Sequence, residues 1–328
     1  MKKWSKTIIS LCCALLMAFT FTIPSIAEEK SNEAYTNWMS SIPDKTKLSD
    51  ISIPGTHDSA TQYCTLGYFT SCQDTSMAEQ MEDGYRYLDV RLMLNDNLDG
   101  FILNHGGYKA RKSIWPWSDK ITFDDLVNDT YKFLDANPTE TIILALKIEK
   151  SDNDVATCEQ LVLDTINKNP DKWYTKNEIP TLGDVRGKIV LATRYQDALG
   201  VGDERSGLHF YWEEQNNKEP TEVPYTQTIM NSKNESLWVQ DRFKYTLANK
   251  YSAFEEGLDN CLADDESFFI NFLSLSGQSL LPHPKGNANE LNPLFMKKTL
   301  NKGTCYGIIV VDRANKAMAS KIFETNFQ

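Results

Sequence analysis

Two of the four histidines in this 328-residue chain close short apolar runs at turns. His57 ends Ile51-Ser52-Ile53-Pro54-Gly55-Thr56 and is followed by Asp58; His105 ends Phe101-Ile102-Leu103-Asn104 and is followed by Gly106-Gly107. Imidazoles, with an ordinary pKa of ~6.5, can hold opposite protonation states near neutral pH, so one can take a proton while the other gives one. Each such role is typically worth ~100- to 10,000-fold in rate. Arg91, two residues beyond Asp89, adds a planar cation that cannot lose its charge and that matches phosphate oxygens. The plainer alternatives are a surface turn with an incidental His-Asp pair and a surface Asp89–Arg91 ion pair, which would stabilise little.

What must position these groups is a set of short strands. In Tyr87 to Leu94, residues Leu88, Val90, Leu92 and Leu94 share one face while Asp89 and Arg91 share the other. Leu48, Ile51 and Ile53 predict a buried strand that Pro54-Gly55 stops, leaving His57 at its carboxyl end. Thr141 to Leu146 delivers Lys147 and Glu149, Lys188 to Thr193 delivers Arg194, Leu237 to Gln240 delivers Asp241 and Phe243, and Tyr306 to Val311 delivers Asp312. Helical periodicity over 77–84, 125–136, 154–168 and 244–262 alternates with these runs. With 101–105 and 268–275 there are eight candidate strands, and apolar runs that end in charge predict a closed α/β barrel with its site at the carboxyl ends. A doubly wound sheet would call for a glycine-rich phosphate loop, and neither GxGxxG nor GxxxxGK occurs.

Residues 1–27 read as a secretory signal peptide: Lys2, Lys3 and Lys6 precede an apolar run from Thr7 to Ile23, and Ser25-Ile26-Ala27 suits a signal peptidase. The predicted mature domain is 28–328, secreted and extracellular. Loss of the three leader lysines takes the formal net charge from −11 to −14, which disfavours nucleic acid and also docking through a broad basic face. Five cysteines remain, and Cys64 and Cys72 are the expected disulfide by their close spacing. No CxxC or HxxxH spacing suggests zinc.

The motifs SIPGTHDS at 52–59, LDVR at 88–91, NHG at 104–106, the lysine-bearing strand at 147, VQDRF at 239–243 and VVD at 310–312 resemble the bacterial phosphatidylinositol-specific phospholipase C family, from about residue 35 to the carboxyl terminus. The resemblance implies a single distorted (β/α)8 barrel that cleaves between phosphate and diacylglycerol with the inositol 2-hydroxyl as internal nucleophile. It assigns His57 as general base, His105 as general acid, Asp312 as the carboxylate orienting the base, and Asp58 as support for the acid and Arg91. Lys147, Arg194 and Asp241 match positions that bind inositol hydroxyls; Phe243 stands where the family usually has a tyrosine, and Asp89 holds Arg91. The metal-free bacterial enzymes carry arginine where calcium-dependent relatives carry a metal-ligating carboxylate, so Arg91 implies no metal and no cofactor.

Ile114-Trp115-Pro116-Trp117 suits a lipid interface, with Tyr63, Tyr68 and Phe69 as a second lip; a lid over the site is the alternative. His209 to Trp212 reads as a further rim or a buried strand, and His283 as a loop residue. The expectation is therefore a secreted, monomeric, metal-independent lyase acting on phosphatidylinositol in membranes, with glycosylphosphatidylinositol anchors as a further target. A phosphodiesterase for another headgroup and a non-catalytic inositide-binding barrel are the competing readings.

Overall fold

A computed structural model describes residues 32–149, 154–280 and 283–328. The expected leader lies outside the described residues. Eight parallel strands form the frame: β1 (Ile53–Thr56), β2 (Tyr87–Leu94), β3 (Ile142–Ile148), β4 (Ile189–Thr193), β5 (Leu208–His209), β6 (Ser236–Gln240), β7 (Ser267–Phe272) and β8 (Ile308–Val311). Each pairs with the next in chain order, and β8 pairs with β1, so the sheet closes everywhere but between β5 and β6. This is a distorted (β/α)8 barrel. At the gap, the edge of β6 is taken by the antiparallel strand Thr226–Ile229, and Gln215 extends its cover: its Nε2 donates to Val239 O at 3.0 Å and its Oε1 accepts from Asp241 N at 2.8 Å.

The period of two along each strand divides the core. Leu88 and Val90 pack outward beside α1 (Met77–Glu82), and Ile142, Leu144 and Leu146, with Ile189 and Leu191, against α2 (Phe123–Ala136) and α3 (Val155–Asn167), while Ile143, Ala145, Val190 and Ala192 fill the barrel. Following the inward parity along β2 and β3 reaches Arg91 and Lys147, and continuing it just past the ends of β1, β4, β6 and β8 reaches His57, Arg194, Asp241 and Asp312, all at one mouth. The helices behind these strands start on side-chain caps: Thr122 with Asp125, Asp154, and Thr246 before α4 (Leu247–Asp259).

Three expectations are corrected. Pro54 and Gly55 lie inside β1 rather than ending it, because Pro54 sits where β2 has not yet begun to pair, and its missing N–H costs no ladder bond. Gly55 is required there, since a Cβ would meet Tyr87 Cδ1 at 2.9 Å. Phe101–His105 is not a barrel strand. It runs antiparallel to β2 and turns back at Gly106-Gly107, both with positive φ, into Tyr108–Arg111; its place in the barrel belongs to the two-residue β5. Cys64 and Cys72 are free thiols, because Cys64 Sγ turns to Tyr108 O while Cys72 Sγ turns to His105.

Opposite the mouth, a buried ion pair closes the barrel floor. Arg86 donates to Glu140 Oε2 at 3.0 Å and spends its other hydrogens on the carbonyls of Tyr35, Thr36, Met81 and Tyr85.

Candidate active site

His57 follows β1 directly. Its Nδ1 lies 2.8 Å from Asp312 Oδ1, just beyond β8, and its Nε2 lies 3.3 Å from Asp58 Oδ2. Burial pushes the ring's pKa down, but Asp312 and then Asp58 outweigh burial and hold it up at about 9. His105 Nδ1 donates to Thr70 O at 2.9 Å and lies 3.4 Å from the same Asp58 Oδ2, so its Nε2 is the nitrogen left for a ligand. The two rings face each other edge to face with centroids 6.2 Å apart. Asp58 is buried with φ +43°, a strained conformation for a residue other than glycine, and that turn aims its carboxylate at both rings.

Arg91 is held by three carboxylates. It grips Asp89 in a two-pronged bond of 3.1 and 2.8 Å, meets Asp58 Oδ1 at 3.3 Å, and donates to Glu149 Oε1 at 2.7 Å. Glu149 Oε2 also accepts from Gly106 N, which ties Arg91 to the turn behind His105. Burial opposes ionisation of Asp89, but Arg91 and Arg194 together hold its carboxyl far below the usual range. Asp89 thus lies between two guanidinium groups, with Arg194 Nη1 at 2.9 Å.

Arg194 in turn lies over the Trp212 ring at 3.9 Å and reaches Asp241 Oδ2 at 3.8 Å, while Trp212 Nε1 donates to the same oxygen at 3.3 Å. Lys147 is the register partner of Arg91; burial, Arg91 and Arg194 lower its pKa, and Glu214 lies 3.5 Å away. The mouth therefore carries two adjoining clusters, one of imidazoles and acids and one of cations and an aromatic face. That pairing suits proton transfer beside an anionic, hydroxyl-rich ligand.

A stretch covering residues 48–195 matches the family model described as "Phosphatidylinositol-specific phospholipase C, X domain". A 1-phosphatidylinositol phosphodiesterase of Listeria monocytogenes is 28% identical over 98% of this chain and 97% of its own length, and one of Staphylococcus aureus is 28% identical over 96% and 94%. The chain is similar to bacterial phosphatidylinositol-specific phospholipases C along nearly its whole length. A solved phosphatidylinositol-specific phospholipase C of S. aureus superposes with a TM-score of 0.73 at 25% identity, covering 90% of this chain and 98% of the other. The L. monocytogenes structure gives 0.66 at 24% identity, covering 90% and 99%, and supports the fold.

Within this barrel, the sequence-expected residues His57, Asp58, Asp89, Arg91, His105, Lys147, Arg194, Asp241 and Asp312 meet at the mouth. Phe243 lies two residues past Asp241, half-buried, with its carbonyl tied to Ser276 and Gly277 and with Lys244 Nζ 5.7 Å from its ring. Trp115 and Trp117 stack on each other at 5.1 Å and are 57% and 78% exposed, beside Ile114 at 74%. Tyr68 is exposed and stacks on His283, a loop residue as expected, which immediately precedes α5 (Pro284–Lys297). Trp212 belongs to the Arg194 cluster and not to a lipid-facing rim. Glu149 and Cys72 were not singled out for the site; Glu149 shares the inward parity of Lys147, a signal that was present, whereas nothing in the spacing of Cys72 placed it against His105. Two donor sets here could hold a metal: His57, Cys72 and Asp312, and Asp58, Cys72 and His105.

Proposed function

We propose that the chain is a metal-independent phosphatidylinositol diacylglycerol-lyase. The observation that carries this reading is that one buried carboxylate, Asp58, touches both imidazoles and the guanidinium, at 3.3, 3.4 and 3.3 Å. In the proposed reaction, His57 Nε2 takes the proton of the inositol 2-hydroxyl as its oxygen bonds to phosphorus. The bond from phosphorus to the diacylglycerol oxygen breaks, and His105 Nε2 gives that oxygen its proton, so the products are diacylglycerol and inositol 1,2-cyclic phosphate. A ring held near 9 is a strong base whose neutral fraction is small at neutral pH, the usual exchange between basicity and availability.

Arg91 supplies fixed positive charge to the phosphate oxygens. Because its guanidinium already occupies Asp58, Asp89 and Glu149, the carboxylates that a calcium ion would need are taken by a permanent cation. Arg194, Asp241, Lys147 and Asp89 contact or frame the inositol hydroxyls, with Phe243 beside the sugar. Trp115 and Trp117 touch the lipid surface transiently. Residues 1–27 direct export and 28–328 form one catalytic domain, a secreted monomer. Glycosylphosphatidylinositol anchors share the headgroup and are a further substrate class.

The test is turnover of phosphatidylinositol vesicles with and without EDTA, followed by phosphorus NMR. The expected result is cyclic inositol phosphate at a rate the chelator leaves unchanged. Phosphatidylcholine cleaved as fast would overturn the headgroup assignment, and loss of activity with EDTA would overturn the role of Arg91.

A further inference from the structure

Cys72 has no part in the chemistry above, yet it is fully buried and its sulfur lies against the acid histidine. Sγ is 3.6 Å from His105 Nδ1 and 4.0 Å from Asp58 Oδ2, and the remaining side of the triangle, Nδ1 to Oδ2, is 3.4 Å. A tetrahedral zinc-class ion, ~2.3 Å from sulfur and ~2.0 to 2.2 Å from nitrogen and oxygen, needs donors about 3.4 to 3.6 Å apart. Two sides meet that and the third exceeds it by about 0.4 Å, within reach of a thiol rotation.

We propose that Cys72, His105 and Asp58 form an inhibitory site for a thiophilic divalent cation of the zinc and cadmium class. The carboxylates of Asp58, Asp89, Asp312 and Glu149 face three cations, the guanidinium groups of Arg91 and Arg194 and the His57 ring, so acids outnumber them by one. Asp58 Oδ1 is buried and accepts no hydrogen bond, with Arg91 Nε as its cationic neighbour. Hard ions are excluded by ligand type, since calcium takes ~6 to 8 oxygens and this triangle offers one beside a sulfur and a nitrogen.

On binding, the thiol releases its proton to solvent and the thiolate bonds to the metal; no atom is oxidised or reduced. The Nδ1 proton that bonds Thr70 O is also released to solvent and the Nδ1 lone pair forms the second bond, so the ring is left with one proton, on Nε2. Asp58 Oδ2 forms the third and leaves His57 Nε2. Turnover then falls with occupancy; this arm rests on the lyase reading, whereas the binding arm does not.

The test is titration of the purified protein with cadmium, reading the ultraviolet cadmium–thiolate charge-transfer band alongside turnover of phosphatidylinositol. The expected result is a band complete at one equivalent, activity lost in parallel and restored by EDTA, and no effect of calcium or magnesium. Cys72→Ser should weaken cadmium affinity by ~100-fold or more, and His105→Ala, read by binding alone, by a similar factor, while Cys64→Ser leaves it unchanged. A band that persists undiminished in Cys72→Ser, or the lack of any band at one equivalent, overturns the site. Cadmium held through Cys72 with turnover intact overturns its inhibitory role.

Discussion

Asp312 Oδ1 stands 2.8 Å from His57 Nδ1, and this contact fixes which ring nitrogen faces the mouth as well as how basic it is. Replacing the carboxylate should release both. In Asp312→Asn, the His57 ring, followed by NMR, should titrate well below the value of about 9 expected for the parent, with turnover down ~100-fold or more. A midpoint that stays in place would remove Asp312 as the cause.

The same raised pKa links folding to pH. His57 titrates near 6.5 in the unfolded chain and near 9 when folded, so its stabilisation is complete below about 6.5 and is lost as pH rises through 9. The full effect is on the order of 3 kcal/mol. Urea unfolding at pH 6 and pH 9.5 should show the advantage of the parent over His57→Gln shrinking at the higher pH; an advantage that grows with pH would contradict the assignment.

Arg91→Lys keeps the charge but loses the two-pronged grip on Asp89. Turnover should fall ~100- to 1,000-fold, in the range for removing one preorganised donor to a developing charge. Thermal unfolding should move little, because Arg194 still holds Asp89. Near-parental turnover would show that a point charge suffices.

Glu140→Ala leaves the Arg86 guanidinium buried without its counter-charge at the barrel floor. Breaking one side of such a pair typically costs about 3 to 5 kcal/mol. The urea midpoint should drop accordingly, while the activity of the protein that remains folded is unchanged.

Trp115→Ala with Trp117→Ala removes a stacked, exposed aromatic pair from a loop outside the barrel. Vesicle affinity should fall roughly tenfold or more, the loss expected from about 1.4 kcal/mol of apolar transfer, while hydrolysis of a soluble inositol phosphodiester is retained. Equal losses in both assays would favour a lid over the site.

Much of the site was legible because strand periodicity is strict. Once Leu88, Val90 and Leu92 are assigned outward, Asp89 and Arg91 must point inward, and the same parity carries Lys147, Arg194, Asp241 and Asp312 to the mouth. The periodicity carries no sign of strand direction, so Phe101–His105 was read as parallel although its Gly-Gly turn folds it into a hairpin. Leu208–His209 is too short to leave a pattern, and Pro284–Lys297 holds Pro293 inside a helix. The Arg86–Glu140 pair spans 54 residues and the Cys72–His105 contact 33, separations that local spacing cannot reveal.

The break in the parallel ladder between β5 and β6, where β6 pairs instead with Thr226–Ile229, divides the barrel mouth. His57, Asp58, Arg91 and Asp312 are carried by β1, β2 and β8, which share an unbroken ladder, whereas Trp212 and Asp241 lie at the breach, where Gln215 bonds the β6 side. On the proposed reading the breach carries the sugar contacts and the unbroken wall the proton transfer, and Asp89, bound to both Arg194 and Arg91, couples the two. On that reading selectivity and reactivity sit on two walls that communicate through a single carboxylate.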